Sequence, residues 1–274
     1  MKITVCQLPD GGDSLDEAWS RLVAHTRSRA SDLVLLPELP FSPWLARSSS
    51  FRGESWQAAV EAHVRWEVRF AEFGPARLAG TRPVDFGNGR NNAAFLWDAD
   101  QGLRSVHAKS RLENREGCWE PIWYVSSPRE FTPVAIGASL SGFLIGAELL
   151  DIRAVEEYWR AGVTLLITPR STPAGELHHW LGAAANAAKR GHAFSASSNR
   201  APDGGGWIVD PEGKILALTD ASEPFVTVDL QLPASPQIAR QRREQQPHPA
   251  SITVPIPGAN PANPHDRSFK SERP

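Results

Sequence analysis

Three segments of this 274-residue chain carry side chains whose types and placing suit the cleavage of an unactivated amide or nitrile. Such a reaction needs a nucleophile, a base to take its proton, and positive charge where negative charge builds on the substrate's oxygen or nitrogen. In the first segment the apolar run Leu33-Val34-Leu35-Leu36 leads through Pro37 to Glu38. A carboxylate just beyond a buried strand loses solvent, which lifts its pKa toward useful base strength; a solvated loop residue is the plainer alternative. The second segment is His107-Ala108-Lys109-Ser110-Arg111-Leu112, followed by Glu116-Gly117-Cys118-Trp119-Glu120-Pro121-Ile122-Trp123-Tyr124. Lys109, at a strand end, can act as a fixed cation, and Glu120 sits between tryptophans that shelter it from water. Rings as dense as Trp119, Trp123 and Tyr124 bury something or line a pocket.

The third segment, Phe143-Leu144-Ile145-Gly146-Ala147-Glu148-Leu149, turns from a buried strand into a helix, the geometry that exposes a nucleophile in many hydrolases. It contains no thiol or hydroxyl. Ser139 and Ser141 are placed in the preceding turn, at the far end of the strand. Cys118, two residues before Glu120, is the one thiol near the candidate groups and would share a face with Glu120 in an extended segment. Cys6 reads as core. Arg170, after another buried strand, suits either bidentate capture of a substrate carboxylate or a pair with a neighbouring acid. His178 and His179 are adjacent on a helix and point about 100° apart, so one metal ion cannot easily take both.

The elements that position these residues follow from periodicity. Residues 3–7 and 33–36 read as buried strands, with a helix over 15–29 between them that Asp13 or Ser14 could cap. A helix over 56–73 leads to Arg77-Leu78-Ala79-Gly80-Thr81, and a strand over 92–97 turns at 98–102 into one that ends near Lys109. Strands over 134–138 and 143–145 suit a hairpin about Ser139-Leu140-Ser141-Gly142. Helices follow over 152–161 and 177–189, and strands over 163–168, 192–198, 207–209, 214–218 and 225–228, with Asp210-Pro211-Glu212-Gly213 as a turn. Strands alternating with helices imply an α/β protein with helices covering the sheets, which leaves open one doubly wound sheet or two sheets face to face. Beyond Asp229 the composition shifts to Pro, Gln, Arg and His, so 231–274 reads as an extended or disordered tail.

Composition narrows the partners. Lys and Arg number 29 against 31 Asp and Glu, a net charge of -2, which leaves no electrostatic footprint for nucleic acid or an anionic membrane. Small molecules are the expected ligands. Two cysteines in unlike contexts make no disulfide framework, the first residues show no leader, and no stretch is apolar over the roughly 20 residues of a membrane helix. A cytoplasmic protein is expected.

Together, in this order, the segments resemble the nitrilase or carbon-nitrogen hydrolase superfamily. Leu35-Leu36-Pro37-Glu38 is similar to the motif of its general-base glutamate, and His107-Ala108-Lys109-Ser110-Arg111-Leu112 to the motif of its lysine. Trp119-Glu120 with Trp123-Tyr124 resembles the loop of its second glutamate, and 143–173 its cysteine elbow, helix and following strand, with Asn199-Arg200 also in character. The resemblance implies a four-layer αββα sandwich over 1–230, a homodimer or higher homo-oligomer, and no metal or organic cofactor. It implies Glu38 as base, Lys109 as cation, Glu120 as auxiliary carboxylate, and Gly146 where the nucleophilic cysteine belongs. Trp119, Trp123, Glu148 and Arg170 become candidates for substrate contact, with a small amide, nitrile or carbamoyl compound as ligand. Thioester catalysis is then expected to be lost or weak; a non-catalytic binding or scaffolding subunit, or hydrolysis by water activated at Glu38, is the alternative.

Overall fold

A computed structural model describes residues 1–11, 13–87, 89–200 and 204–235. In chain order the elements are β1 (Lys2–Leu8), α1 (Asp13–Arg29), β2 (Leu33–Leu35), α2 (Gly53–Glu67), β3 (Arg77–Phe86), β4 (Gly89–Asp98), β5 (Gly102–Ala108), β6 (Asn114–Arg115), β7 (Cys118–Trp119), α3 (Glu120–Trp123), β8 (Val134–Ile136) and β9 (Ser139–Phe143). They continue as α4 (Ile152–Arg160), β10 (Leu165–Pro169), α5 (Leu177–Gly191), β11 (Phe194–Arg200), β12 (Trp207–Val209), β13 (Ile215–Leu218) and β14 (Phe225–Asp229).

Twelve of the strands form two sheets joined along one seam, and β6 and β7 pair apart from them as a two-stranded ribbon. One runs β5-β4-β3-β2-β1 with β14 beside β1, and the other runs β8-β9-β10-β11 with β12 and β13 beyond β11. Where β1 and β11 leave their own sheets they pair in parallel, Gln7 opposite Asn199 and Leu8 opposite Arg200. Side-chain alternation along each strand sorts the core into three layers. Ile3, Val5, Leu33 and Leu35 meet Phe143, Leu165, Ile167 and Ala196 between the sheets. The opposite faces of the same strands, at Val34 and Leu166, pack outward. Val34 lies under Trp19 and Leu22 of α1, and Leu166 under Tyr158 of α4 and Trp180 and Ala184 of α5. Helix, sheet, sheet, helix is thus the layering, in agreement with the four-layer αββα expectation.

Several boundaries differ from the sequence reading for local reasons. β3 and β4 extend as one long hairpin, pairing from Leu78–Trp97 out to Phe86–Gly89, through a stretch where Pro83 and Gly89 read as breaks in a strand. The helix placed over 56–73 divides: α2 ends at Glu67, and Phe70–Phe73 is a separate 3-10 turn. The β8–β9 turn falls at Gly137, whose φ of 64° only glycine adopts freely, so Ser139 and Ser141 lie inside β9 and not in a turn. Of the tail, residues 236–274 lie outside the described residues. The short part before them follows the β8–β9 turn, where the Ser235 amide donates to the Ala138 carbonyl at 2.9 Å. Among the described residues no helix is long and apolar enough to cross a membrane.

Candidate active site

Glu38 sits two residues beyond the Leu36 amide, which continues the ladder of β2 by bonding to Ala79. Its own amide donates to the Arg170 carbonyl at 3.1 Å, which ties the end of the first sheet to the end of β10 in the second. The turn that follows puts Leu39 at a φ of 46°, an uncommon conformation for a branched residue, and pins it. The Leu39 amide donates to Thr81 Oγ1 at 2.8 Å, and Arg200 from β11 donates to the carbonyls of Leu39 at 2.9 Å and Ser42 at 2.7 Å. Arg200 is itself neutralised by Asp10.

Lys109 follows β5 and reaches the same point. Its Nζ donates to Glu38 Oε1 at 2.8 Å and to Glu120 Oε1 at 2.5 Å, and all three side chains are 2% exposed or less. Asn92 on β4 donates to Glu38 Oε1 at 2.7 Å, and the Glu113 amide donates to Glu120 Oε2 at 2.7 Å. Burial pushes the Glu38 carboxyl up to about 7; the Lys109 charge pulls against this and the Glu120 charge adds to it. On Lys109 burial acts against the charge, but the two carboxylates outweigh it and hold the ammonium above the ordinary lysine range. The result is a carboxyl raised to about 7 beside a buried ammonium.

Gly146 completes the cluster. It begins a 3-10 turn, Gly146–Leu150, with φ of 52°, and a Cβ built on it would lie 3.0 Å from Lys109 Nζ and 3.1 Å from Glu38 Oε2. The lysine and the Oε2 of Glu38 therefore face this backbone position. Glu148 holds the juxtaposition in place. One oxygen accepts from the Ser110 amide at 2.8 Å and hydroxyl at 2.6 Å, and the other accepts from the Ile145 amide and lies 2.8 Å from His107 Nε2. Burial would raise this carboxyl, yet the bonds from His107 and Ser110 win and hold it below the ordinary range.

The structure therefore brings together Glu38, Lys109, Glu120 and Gly146, and gives other candidates different work. Both oxygens of Glu148, expected from sequence to contact substrate, are engaged by the fold. Arg170 is fully buried, donates to Ser197 at 2.8 Å, to Thr172 and to the Gly205 carbonyl at 2.6 Å, and stacks 3.8 Å over Trp207. Among the described residues no carboxylate makes an ion pair with it, although the Glu38 charge acts on it. Trp123 is buried with its indole N–H on the Ser48 carbonyl at 2.8 Å, while Trp119 is half-buried. Cys118 borders a cavity of ≈230 Å³ with Trp44, Ser171 and Thr172, but burial and the charges of Glu120 and Glu113 push its thiol far up, so it is no thiolate. Asn92 and Glu113 were not singled out for the site from sequence, since a mid-strand amide and a main-chain N–H leave no local pattern, and Arg200 was marked only by the resemblance, without a role. Among the described residues no cluster of three or more His, Cys, Asp or Glu could hold a metal ion.

Fold and site together define a protein of hydrolase architecture: a helix-covered double sheet with two carboxylates and a lysine converging at a strand-to-turn elbow. Residues 2–240 match the sequence profile of the Carbon-nitrogen hydrolase family, and the chain belongs to that family. Among solved structures it is similar to a cysteine-to-serine variant of an amidase of the nitrilase superfamily from Nesterenkonia AN1, with 19% identity over 89% of this chain and 95% of that one and a TM-score of 0.71. A crystal structure of an amidase from Nesterenkonia sp. gives 20% identity, 89% and 94% coverage and a TM-score of 0.70. A double variant of that amidase in complex with acrylamide gives 19%, 89% and 95%, and 0.69. No curated protein matches the chain.

Proposed function

We propose that this chain is a carbon-nitrogen hydrolase family protein directed at small amide, nitrile or carbamoyl compounds, with Gly146 at the nucleophile position and thioester chemistry therefore disarmed. The observation that carries this reading is the geometry over Gly146. Lys109 Nζ and Glu38 Oε2 lie 3.0 and 3.1 Å from where a side chain would leave the backbone, so base and cation converge on a residue with no group to activate. Removing the nucleophile from such a coupled set costs turnover on the order of 10^6. The fold bears the change because glycine takes a φ of 52° at little cost. Complexes of the similar amidase with acrylamide and butyramide support the small-amide class of ligand.

A second reading rests on Glu38 itself. A carboxyl near 7 whose Oε2 faces the elbow is suited to take a proton from water directly. Ammonia release from acrylamide, butyramide and related amides by the parent, Gly146→Cys and Glu38→Gln separates the two. Gain of activity in Gly146→Cys over a silent parent is the expected outcome. Release by the parent that Glu38→Gln abolishes would replace this reading with direct hydrolysis, and silence from all three would make the triad a buried charge network in a non-catalytic subunit.

A further inference from the structure

We propose that His107 positions the elbow that carries Gly146, and that it does so fully only while both of its ring nitrogens hold a proton, so that the elbow loosens as pH rises. This regulation rests on the reading of Gly146 as the elbow of the Glu38 site, and on no turnover there. His107 reaches the elbow through an irregularity of β5. Ala94 pairs with His107 and Phe95 with Ser105, so Val106 is an extra residue, a β-bulge next to the site. Val106 packs against the core between the sheets, and His107, opposite Ala94 of that core, follows it on the same side. Strict alternation would turn one of the two away. With its side chain 2% exposed, His107 thus spans from the first sheet to the turn beyond β9 in the second.

Both ring nitrogens meet acceptors. Nε2 lies 2.8 Å from Glu148 Oε2, and Nδ1 lies 3.2 Å from the Glu130 carbonyl. A carbonyl has no proton to give, and neither has the Glu148 carboxylate, to which the Ser110 amide and hydroxyl and the Ile145 amide already donate. A neutral imidazole has one N–H, so it makes one of these bonds and turns a lone pair on the other acceptor; the imidazolium makes both. It also supplies the charge opposite Glu148, with which no other cation pairs among the described residues. Lys109 is turned to Glu38 and Glu120, and Arg129 lies over the Phe131 ring and pairs with Asp151 at 2.5 Å. Phe131 stacks on His107, Tyr158 of α4 packs on Phe131 and donates to the Phe143 carbonyl, and the Glu130 side chain is exposed. Glu148 Oε2 is shared by His107 and the amide just before Gly146, while Oε1 holds Ser110, just after Lys109. Loss of the imidazolium charge leaves a buried carboxylate unbalanced at the point that sets the approach of Lys109 to Gly146.

Nitrogen-15 NMR of the full chain tests this from pH 5 to pH 9 in the parent, His107→Gln and Glu38→Gln, the last to remove the titration of Glu38 itself. At pH 5 both His107 nitrogens should carry protons. As the second proton leaves, the Ile145 and Gly146 amide signals should shift with the same midpoint. Exchange of the Ile145 amide should then rise roughly tenfold relative to the Ile167 amide of β10, which shares the ordinary pH dependence of exchange. The coupling should persist in Glu38→Gln and vanish in His107→Gln. A proton on only one ring nitrogen at every pH, or a doubly protonated ring with no transition up to pH 9, overturns the proposal. Elbow amides that ignore the His107 midpoint overturn it too, and a coupling lost in Glu38→Gln returns the effect to Glu38. The parent and Glu38→Gln decide the matter should His107→Gln fail to fold. None of these readouts uses turnover, so failure here is distinct from failure of the amide reading, which ammonia release measures.

Discussion

Replacing Gly146 by alanine should destabilise the protein, and the sign is diagnostic, because glycine-to-alanine changes at ordinary dihedrals stabilise by about 0.4–1 kcal/mol. Two costs add at this position. A φ of 52° is left-handed, where a Cβ costs roughly 1–2 kcal/mol. The new carbon would also stand 3.0 Å from Lys109 Nζ and 3.1 Å from Glu38 Oε2, closer than ordinary van der Waals contact, so a buried ion pair held by Asn92 and Glu120 would have to give way. Together these predict a loss of about 2–4 kcal/mol, or a fall in Tm of roughly 4–16 °C for a chain of this size. Gly162 supplies the control: its φ is 78° and a Cβ there meets nothing within 4 Å, so Gly162→Ala carries the backbone cost alone. Urea unfolding and thermal melts of both variants measure the difference between them, which is the contact cost. A Gly146→Ala protein as stable as the parent, or a Gly162→Ala protein that loses just as much, would refute the close approach of the lysine and glutamate to the elbow.

Two further expectations concern the same cluster. Glu38, raised by burial from 4.5 to about 7, keeps a proton in the folded chain at pH values where the unfolded chain has lost it, so its contribution to stability declines as pH rises from about 4.5 to 7. In Glu38→Gln this decline should vanish: relative to the parent, the variant should gain on the order of 1–3 kcal/mol between pH 5 and pH 8 in urea unfolding, and a pH-independent difference would contradict the shift. Glu148→Ala should cost about 3–5 kcal/mol, since it strands the Ser110 and Ile145 donors and the His107 ring in the interior; a loss under about 1 kcal/mol in the same assay would show that Glu148 does not fasten the elbow.

What was legible in the sequence was whatever a strand end writes locally. Glu38 and Lys109 each follow an apolar run, and Glu120 lies in a ring-dense stretch, so each could be marked from its own neighbours. Their convergence could not, because Lys109 meets Glu38 across 71 residues and only the layering of the sheets closes that distance. The double-sheet arrangement came from the family resemblance, since alternating elements alone also suit a single wound sheet. Burial is what the local pattern of Glu148 and Arg170 does not show: Glu148 accepts from the Ser110 and Ile145 amides, and Arg170 donates to Ser197, Thr172 and the Gly205 carbonyl. The β3–β4 hairpin was drawn short because Pro83 and Gly89 in its outer half read as breaks in a strand, although the pairing runs on past both to Phe86 and Gly89.

Arg200 fixes an order of events as well as a shape. The loop that carries Glu38 takes its form from a guanidinium more than 160 positions later in the chain, and the seam that brings it there pairs β1 with β11. A nascent chain that has exposed Glu38, Asn92, Lys109 and Glu120 still lacks the clamp, and the elbow must also arrive before the four positions face one another. The site is thus a late product of chain closure, with the high contact order that slows folding. A chain cut between Glu120 and β11 would keep Glu38, Lys109 and Glu120 and leave the loop of Glu38 without the clamp that shapes it.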